Sequence, residues 1–286
     1  MCTLILGRDV LGQGRVLLAA NRDEDPARPA DPPGVLMEHP RLVGGRDRRA
    51  GGTWLALREG RAVVALLNRR ERSGGPAAAP ERRSRGALVL EVAGVAVDEA
   101  AAGGERGEPG VRGGPWEASE PLLAATAPGL PRAALRRALA AVHEAPYGPF
   151  TLLFASPEAC WLLALEPDRP PRVAMVPAGW HVITHMDLDD PREPRASALA
   201  LRLKGWAPRS LAEAEARLDD LLRSHGDPTT GLPPVCLHQG RMVTVSASSV
   251  TLAPGEARYR HAEGRPCEHA FEDYSRLARV AMPRLE

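Results

Sequence analysis

Lysine is almost missing from this chain. Lys204 is the only one among 37 basic residues, so arginine carries nearly all the positive charge. With Ala, Gly and Pro abundant throughout, this bias reads as a property of the coding sequence, and the arginines are not taken as a functional patch. Net charge is lacking too: 37 basic against 36 acidic residues leave +1, which argues against a polyanion-binding surface and against nucleic acid as a partner. No apolar run reaches the roughly 18 residues needed to span a bilayer, and no basic, apolar, small-residue leader opens the chain, so a cytoplasmic protein is expected. Cysteine is scarce. Cys2, Cys160, Cys236 and Cys267 lie far apart in 286 residues, which is no disulfide framework, and free thiols are expected. No Gly-rich phosphate loop joins a strand pattern to a helix pattern, so a nucleotide fold is not expected.

What remains is an ordinary globular composition, 44% hydrophobic and 26% charged, with length enough for a large buried core. The β-branched and apolar Thr3-Leu4-Ile5-Leu6, a polar loop with Gly12 and Gly14, and the apolar Val16 to Ala20 predict a hairpin. Asp25 to Pro40 carries five prolines and is expected to be a loop. Leu42 to Asp47, Ala50 to Leu57 and Ala62 to Asn68 predict an antiparallel meander, the last strand buried on both faces. Arg69 to Arg85 and the glycine-rich Ala102 to Pro115 read as surface excursions. Helices are expected over Ala87 to Ala101, Leu130 to His143, Arg195 to Leu203 and Ser210 to Ser224, with Ser210 and Glu213 as a capping box. Strands are expected at Phe150–Phe154, Cys160–Leu165, Val173–Val176, Trp180–Thr184, Val235–His238, Val243–Leu252 and Ala257–Arg260. Strands in runs and helices in runs predict an α+β fold in one domain spanning residues 1–286.

The first residues carry the chemistry. A cysteine directly after the initiator methionine becomes the first residue once Met1 is removed, and then holds a thiol nucleophile and an α-amine base together. Met1-Cys2-Thr3, Asn21-Arg22-Asp23-Glu24, Gly44-Gly45-Arg46-Asp47, Gly51-Gly52-Thr53-Trp54 and Leu67-Asn68-Arg69-Arg70, in this order, resemble the NRDE family, also called the transport and Golgi organisation family. Its members resemble N-terminal nucleophile hydrolases, which implies a four-layered α-β-β-α sandwich of two antiparallel sheets flanked by helices. The motif is most similar to the cysteine type that includes bile salt hydrolase and penicillin acylase, in which the first cysteine attacks a non-peptide amide. The resemblance assigns Cys2 as nucleophile, Arg22 and Asp23 as the charged pair of the second strand, and Asn68 as an amide beside the oxyanion. Asn21, Glu24, Trp54 and His185 are expected on the substrate side, although Trp54 alone would read first as core. Whether Arg22, or Asn21 and Asp23, shares the face of Cys2 depends on the hairpin register, which the sequence leaves open.

The chain departs from the family pattern in two places. His185, in Val182-Ile183-Thr184-His185, stands where an Asn is expected, and Val245 to Ser249 holds no Arg. The implied partner is a small amide or acyl substrate, with haem or an acyl lipid on a non-enzymatic carrier as the alternative. Neither a cofactor nor a metal is expected. The two Cys-x-His pairs, Cys236/His238 and Cys267/His269, would each show both side chains on one strand face, but structural zinc usually takes Cys-x2-4-Cys spacing.

Overall fold

A computed structural model describes residues 2–70, 82–97, 120–167 and 169–279. One sheet is built from β1 (Thr3–Arg8), β2 (Val16–Glu24), β10 (Gly179–Ile183), β11 (Val243–Ala253), β12 (Glu256–Ala262) and the short β13 (Glu272–Asp273). Its order is β10-β1-β2-β11-β12-β13, so the chain returns at its end to lie beside its beginning. The other sheet is a sequential antiparallel run of β3 (Ala30–Met37), β4 (Leu42–Asp47), β5 (Leu55–Arg58), β6 (Ala62–Asn68), β7 (Phe150–Ala155), β8 (Cys160–Leu165) and β9 (Arg172–Met175).

Alternation along each strand feeds two cores. On β1 and β2, Leu4, Leu6, Val16, Leu18 and Ala20 enter the core between the sheets, where they meet Val43, Leu57, Val63 and Leu153. Ile5, Leu17 and Ala19 point the other way, into the core beneath α4 (Pro194–Leu203) and α5 (Leu211–Arg223). On β6, Val63, Ala65 and Leu67 face inward, while Val64 and Leu66 pack against α1 (Arg85–Ala93) and α3 (Leu130–Glu144). Strands buried on both faces must be apolar nearly throughout, which is why Val16 to Ala20 and Ala62 to Leu67 show no polar alternation. Helices, sheet, sheet and helices stack as the expected α-β-β-α sandwich.

Local departures from the expected elements have identifiable causes. Asp25 to Pro40 is not all loop: its second half forms β3, which tolerates Pro32 and Pro33 because it is an edge strand whose register shifts between Asp31 and Gly34, across the two prolines. Gly94 ends α1, well short of Ala101. Val235 to His238 forms no strand, since Val235 and Cys236 donate their N–H groups to one carbonyl, that of Ser224, and not to a neighbouring strand. The capping box is half made. Ser210 Oγ accepts from the Glu213 N–H, but the Glu213 carboxylate turns to Arg209. A short α2 (Glu120–Ala125) is an addition. The Ala102 to Pro115 excursion and most of the Arg69 to Arg85 loop lie outside the described residues. Among the described residues no helix is long and apolar enough to cross a membrane.

The Gly-Gly-Thr-Trp turn owes one glycine to a close backbone approach. A Cβ on Gly52 would lie 2.4 Å from the Gly86 carbonyl carbon and 2.7 Å from the Ala87 nitrogen, where Thr53 N–H donates to Gly86 O at 3.2 Å. That contact seats α1 on the second sheet. Gly52→Ala is therefore expected to destabilise the fold by about 1–3 kcal/mol through overpacking, read as a lower urea midpoint at unchanged slope. A midpoint equal to that of the parent chain would show that loop and helix part without cost.

Candidate active site

The β1–β2 register resolves which side chains stand with Cys2. Thr3 pairs with Asn21 and Leu4 with Ala20, so Cys2, one residue beyond the ladder, lies opposite Arg22 on the face between the sheets. The thiol rests on the β2 backbone: Asp23 N–H donates to Sγ at 3.4 Å, and Sγ lies 3.7 Å from Asp23 O. Arg22 pairs in turn with Ser246 on β11. Cys2, Arg22 and Ser246 thus form a row across the end of the first sheet. They open into a cleft of about 570 Å³, whose opposite wall includes Trp54, Leu66 and Asn68 from the second sheet. Arg22 is 6% exposed and reaches Glu24 at 3.7 Å, and Glu24 also lines the cleft.

Asn21 and Asp23 point the opposite way. Asn21 is fully buried, and its amide donates to Leu222 O at 2.9 Å and Val235 O at 3.0 Å, tying β2 to the end of α5. The substrate contact expected of Asn21 is therefore corrected: alternation turns its side chain into the helix-side interior. Asp23 borders the cleft at its backbone, while its carboxylate accepts from Thr244 Oγ1 at 2.7 Å and pairs with Arg195 at 3.3 Å. Burial raises its pKa above the ordinary carboxylate value, and the Thr244 hydroxyl and the Arg195 guanidinium oppose that rise. Arg195 also donates to Thr3 Oγ1 at 2.7 Å. A buried polar cluster of Thr3, Asp23, Thr244 and Arg195 thus backs the strand ends that carry Cys2 and Arg22.

A bulge makes this cluster possible. Asp23 pairs with Thr244 and Arg22 with Ser246, so Val245 is the extra residue. Without it, Val245 would stand opposite Asp23 and bring no hydroxyl. Val245 and Ser246 line the cleft instead.

Burial governs the thiol. It pushes Cys2 up to about 11, with the Asp23 charge adding to the rise, while the Asp23 N–H and Arg22 act against it. The arginine alone does not make a thiolate here. Asn68 is exposed at the cleft rim, and alternation along β6 carries its side chain to the face of Leu66. His185 lies elsewhere, in a separate cavity with Arg69, Glu166, Asp187 and Arg192, which corrects the expectation that it joins the substrate side of the Cys2 cleft. Burial, then Arg70, lowers its pKa. Arg69, the motif neighbour of Asn68, is a structural hub there: it reaches Glu166 at 2.6 Å, Asp187 at 2.7 Å and Thr151 Oγ1 at 3.1 Å.

Three residues of the site gave no signal in the sequence. Arg195 and Thr244 come from a helix start and a bulge whose positions only the three-dimensional pairing reveals. His261 lines the cleft from β12, 6% exposed, with Nδ1 2.9 Å from Ser248 Oγ. It occurs in no motif and shares the inter-sheet face only through the Ser248–His261 register.

No curated protein matches the chain. Among solved structures, the Caenorhabditis elegans orthologue of N-acylethanolamine-hydrolyzing acid amidase is 14% identical, with 89% of this chain and 94% of that chain covered and a TM-score of 0.48. A mutant of the conjugated bile acid hydrolase from Clostridium perfringens is 9% identical, with both chains covered in full and a TM-score of 0.43. The model of the family described as Transport and Golgi organisation 2 matches residues 1–223, which include every motif that carries the resemblance, from Met1-Cys2-Thr3 to Leu67-Asn68-Arg69-Arg70, and this chain belongs to that family.

Proposed function

We propose that the protein is a cysteine-type N-terminal nucleophile amidohydrolase or acyltransferase acting on a linear, non-peptide carbon–nitrogen bond. The observation that carries this reading is the placement of Cys2: its thiol sits at the start of β1, on the inter-sheet face, opposite Arg22 and open to a cleft of about 570 Å³. Removal of Met1 would leave the α-amine on Cys2 itself, with a reference pKa of about 7.7–8.0, so part of it is neutral near pH 7.

In the proposed reaction that amine takes the thiol proton as Sγ attacks the amide carbonyl carbon. The carbon–nitrogen bond then breaks, the proton passes to the leaving amine, and the acyl group stays on Sγ as a thioester. Water or an acceptor amine releases it. The resemblance assigns Asn68 to the developing oxyanion, a contribution typically worth about 3 kcal/mol; its side chain leaves β6 on the Leu66 face, so this role requires the amide to reach around the strand end toward Cys2. Asp23 holds the strand end and not the substrate. Before Met1 is removed, burial holds the thiol at about 11 and makes it a poor nucleophile at neutral pH, so this chemistry depends on the amine that processing would expose on Cys2.

The alternative, a carrier of haem or an acyl lipid on the same fold, draws on the apolar part of the cleft wall, Trp54, Leu66, Pro26 and Pro29. The two readings separate on whether ligand binding survives loss of Cys2.

His261 stays neutral in either reading. Burial, with the Arg22 charge nearby, lowers it from 6.5 to about 4. The unfolded chain then takes up a proton near pH 6.5 that the folded chain refuses until about pH 4, so stability falls as pH drops through that window and levels off below it.

Three outcomes are expected. The intact mass of the mature protein lacks Met1; a mass that retains methionine removes the proposed base. Cys2→Ala abolishes amidase activity on a substrate found by screening acyl amides, whereas Cys2→Ser keeps a trace, and full turnover by the alanine variant would refute the nucleophile. In acid titrations followed by denaturant unfolding, His261 contributes about 3 kcal/mol to the stability lost between pH 6.5 and 4, so His261→Gln loses that much less than the parent; identical acid limbs would mean that His261 is not the group that charges.

A further inference from the structure

Four soft or borderline ligand atoms converge on one point far from the Cys2 thiol in sequence. His225 Nε2 and His238 Nε2 are 3.1 Å apart, His238 Nε2 and Cys267 Sγ are 3.1 Å apart, Cys236 and Cys267 sulfurs are 3.5 Å apart, and Cys236 Sγ lies 3.8 Å from His238 Nε2. All four atoms fall within 4.8 Å of one another. Zn–N bonds of about 2.0–2.1 Å and Zn–S bonds of about 2.3 Å give tetrahedral edges of roughly 3.3 Å for N to N, 3.6 Å for N to S and 3.8 Å for S to S. The observed distances cluster about these edges.

Hydrogen bonding does not account for the arrangement. A single imidazole nitrogen offers one proton or one lone pair, yet His238 Nε2 has three such neighbours. One cation at the centre satisfies all four atoms at once. On the far side of the same ring, His238 Nδ1 lies 3.6 Å from Glu268 Oε1, and Arg265 holds that carboxylate at 3.0 Å. A carboxylate behind a ligating histidine fixes its tautomer and raises its basicity.

The three chain segments are also held in place without the cluster. Ser224 O accepts from both Val235 N–H and Cys236 N–H, Asp227 and Leu232 exchange backbone bonds at 2.9 and 3.0 Å, and Arg223 Nε donates to Pro266 O at 2.9 Å beside Cys267. Gly226 adopts φ +72°, with Leu232 O only 2.2 Å from where a Cβ would be. The loop is therefore built to return Cys236 and His238 to His225.

We propose that His225, Cys236, His238 and Cys267 form a structural Cys2His2 zinc site. Two thiolates and two neutral imidazoles balance the charge of Zn²⁺, and binding releases two thiol protons to solvent. Two thiolates with two imidazoles select zinc over magnesium or calcium, and four protein ligands leave no open position for catalysis. The spacing escapes the usual Cys-x2-4-Cys pattern because one cysteine comes from the segment after β12, which only the fold brings alongside. The site also has a structural task. Leu237, between two of the ligands, donates its N–H to Thr244 Oγ1 at 2.8 Å and accepts from Thr244 N–H at 3.0 Å, and the Thr244 hydroxyl donates to Asp23 at 2.7 Å. The metal thus anchors the turn that aims Thr244 at the strand end carrying Arg22. This assignment is independent of any catalytic role of Cys2.

The test is elemental analysis of the purified full chain, prepared without chelator. About one zinc per chain is expected, falling to a small fraction in Cys267→Ser and in His238→Gln, with thermal melting lowered by a strong chelator and restored by zinc. Cobalt(II) exchanged into the unaltered chain should give the visible bands of tetrahedral coordination together with thiolate charge-transfer absorption, a readout that stands even where a variant does not fold. A folded chain with no bound zinc and no such cobalt spectrum overturns the proposal, and so does a non-reducing peptide map showing Cys236 joined to Cys267 as a disulfide.

Discussion

The alignment of β1 with β2 is the constraint on which the site depends. With Thr3 opposite Asn21, the even residues of β1 and β2 face the second sheet and the odd ones face α4 and α5. A slip of β2 by one residue would put Asn21 and Asp23 into the cleft, bury Arg22 under the helices, and move Leu18 and Ala20 out of the central core. The apolar residues of the hairpin therefore fix the position of its polar end. Burial of Leu4, Leu6, Leu18 and Ala20 holds Cys2 and Arg22 on the same face far more firmly than any contact between those two side chains.

The same strand end is held from both sides. Toward the helices, Asn21 is bonded to the end of α5, and Asp23 is gripped by Thr244 and Arg195. Toward the second sheet, the thiol of Cys2 sits against the Asp23 backbone. Burying a carboxylate is costly unless it is paired, and here the pairing comes from a bulge on β11 and the first turn of α4. The NRDE motif is thus divided between two tasks: Arg22 and Glu24 border the cleft, while Asn21 and the carboxylate of Asp23 hold the sheet to the helices.

Much of this was legible in the sequence. Apolar runs with turn residues between them located the hairpin, the meander and β11, because burial on both faces leaves an unmistakable continuous stretch. The cleft residues Cys2, Arg22, Trp54 and Asn68 all came from motifs within the first 70 positions. What was not legible depends on pairing between distant segments. Thr244 acquires its role through one extra residue in a strand, His261 through a register with Ser248, and Arg195 through the docking of α4. Asn21 misled because a motif residue looks the same whether it faces a substrate or two helix carbonyls. The Cys-x-His pairs were read as strand pairs, but Val235 to His238 forms no strand, and it is His225 and not His269, which packs against Gly264, that stands beside the two cysteines.

The edge strand β3 bears on what can approach the cleft. Ala30, Asp31 and Pro32 line it, so the free margin of the second sheet is also one of its lips. Proteases commonly hold a polypeptide by letting it add a further strand to such a margin, through a regular ladder of main-chain bonds. Pro32 and Pro33 give two consecutive positions with no N–H to offer, and the register shifts across them and again between Val35 and Met37. An extended peptide laid along this lip would find no continuous partner.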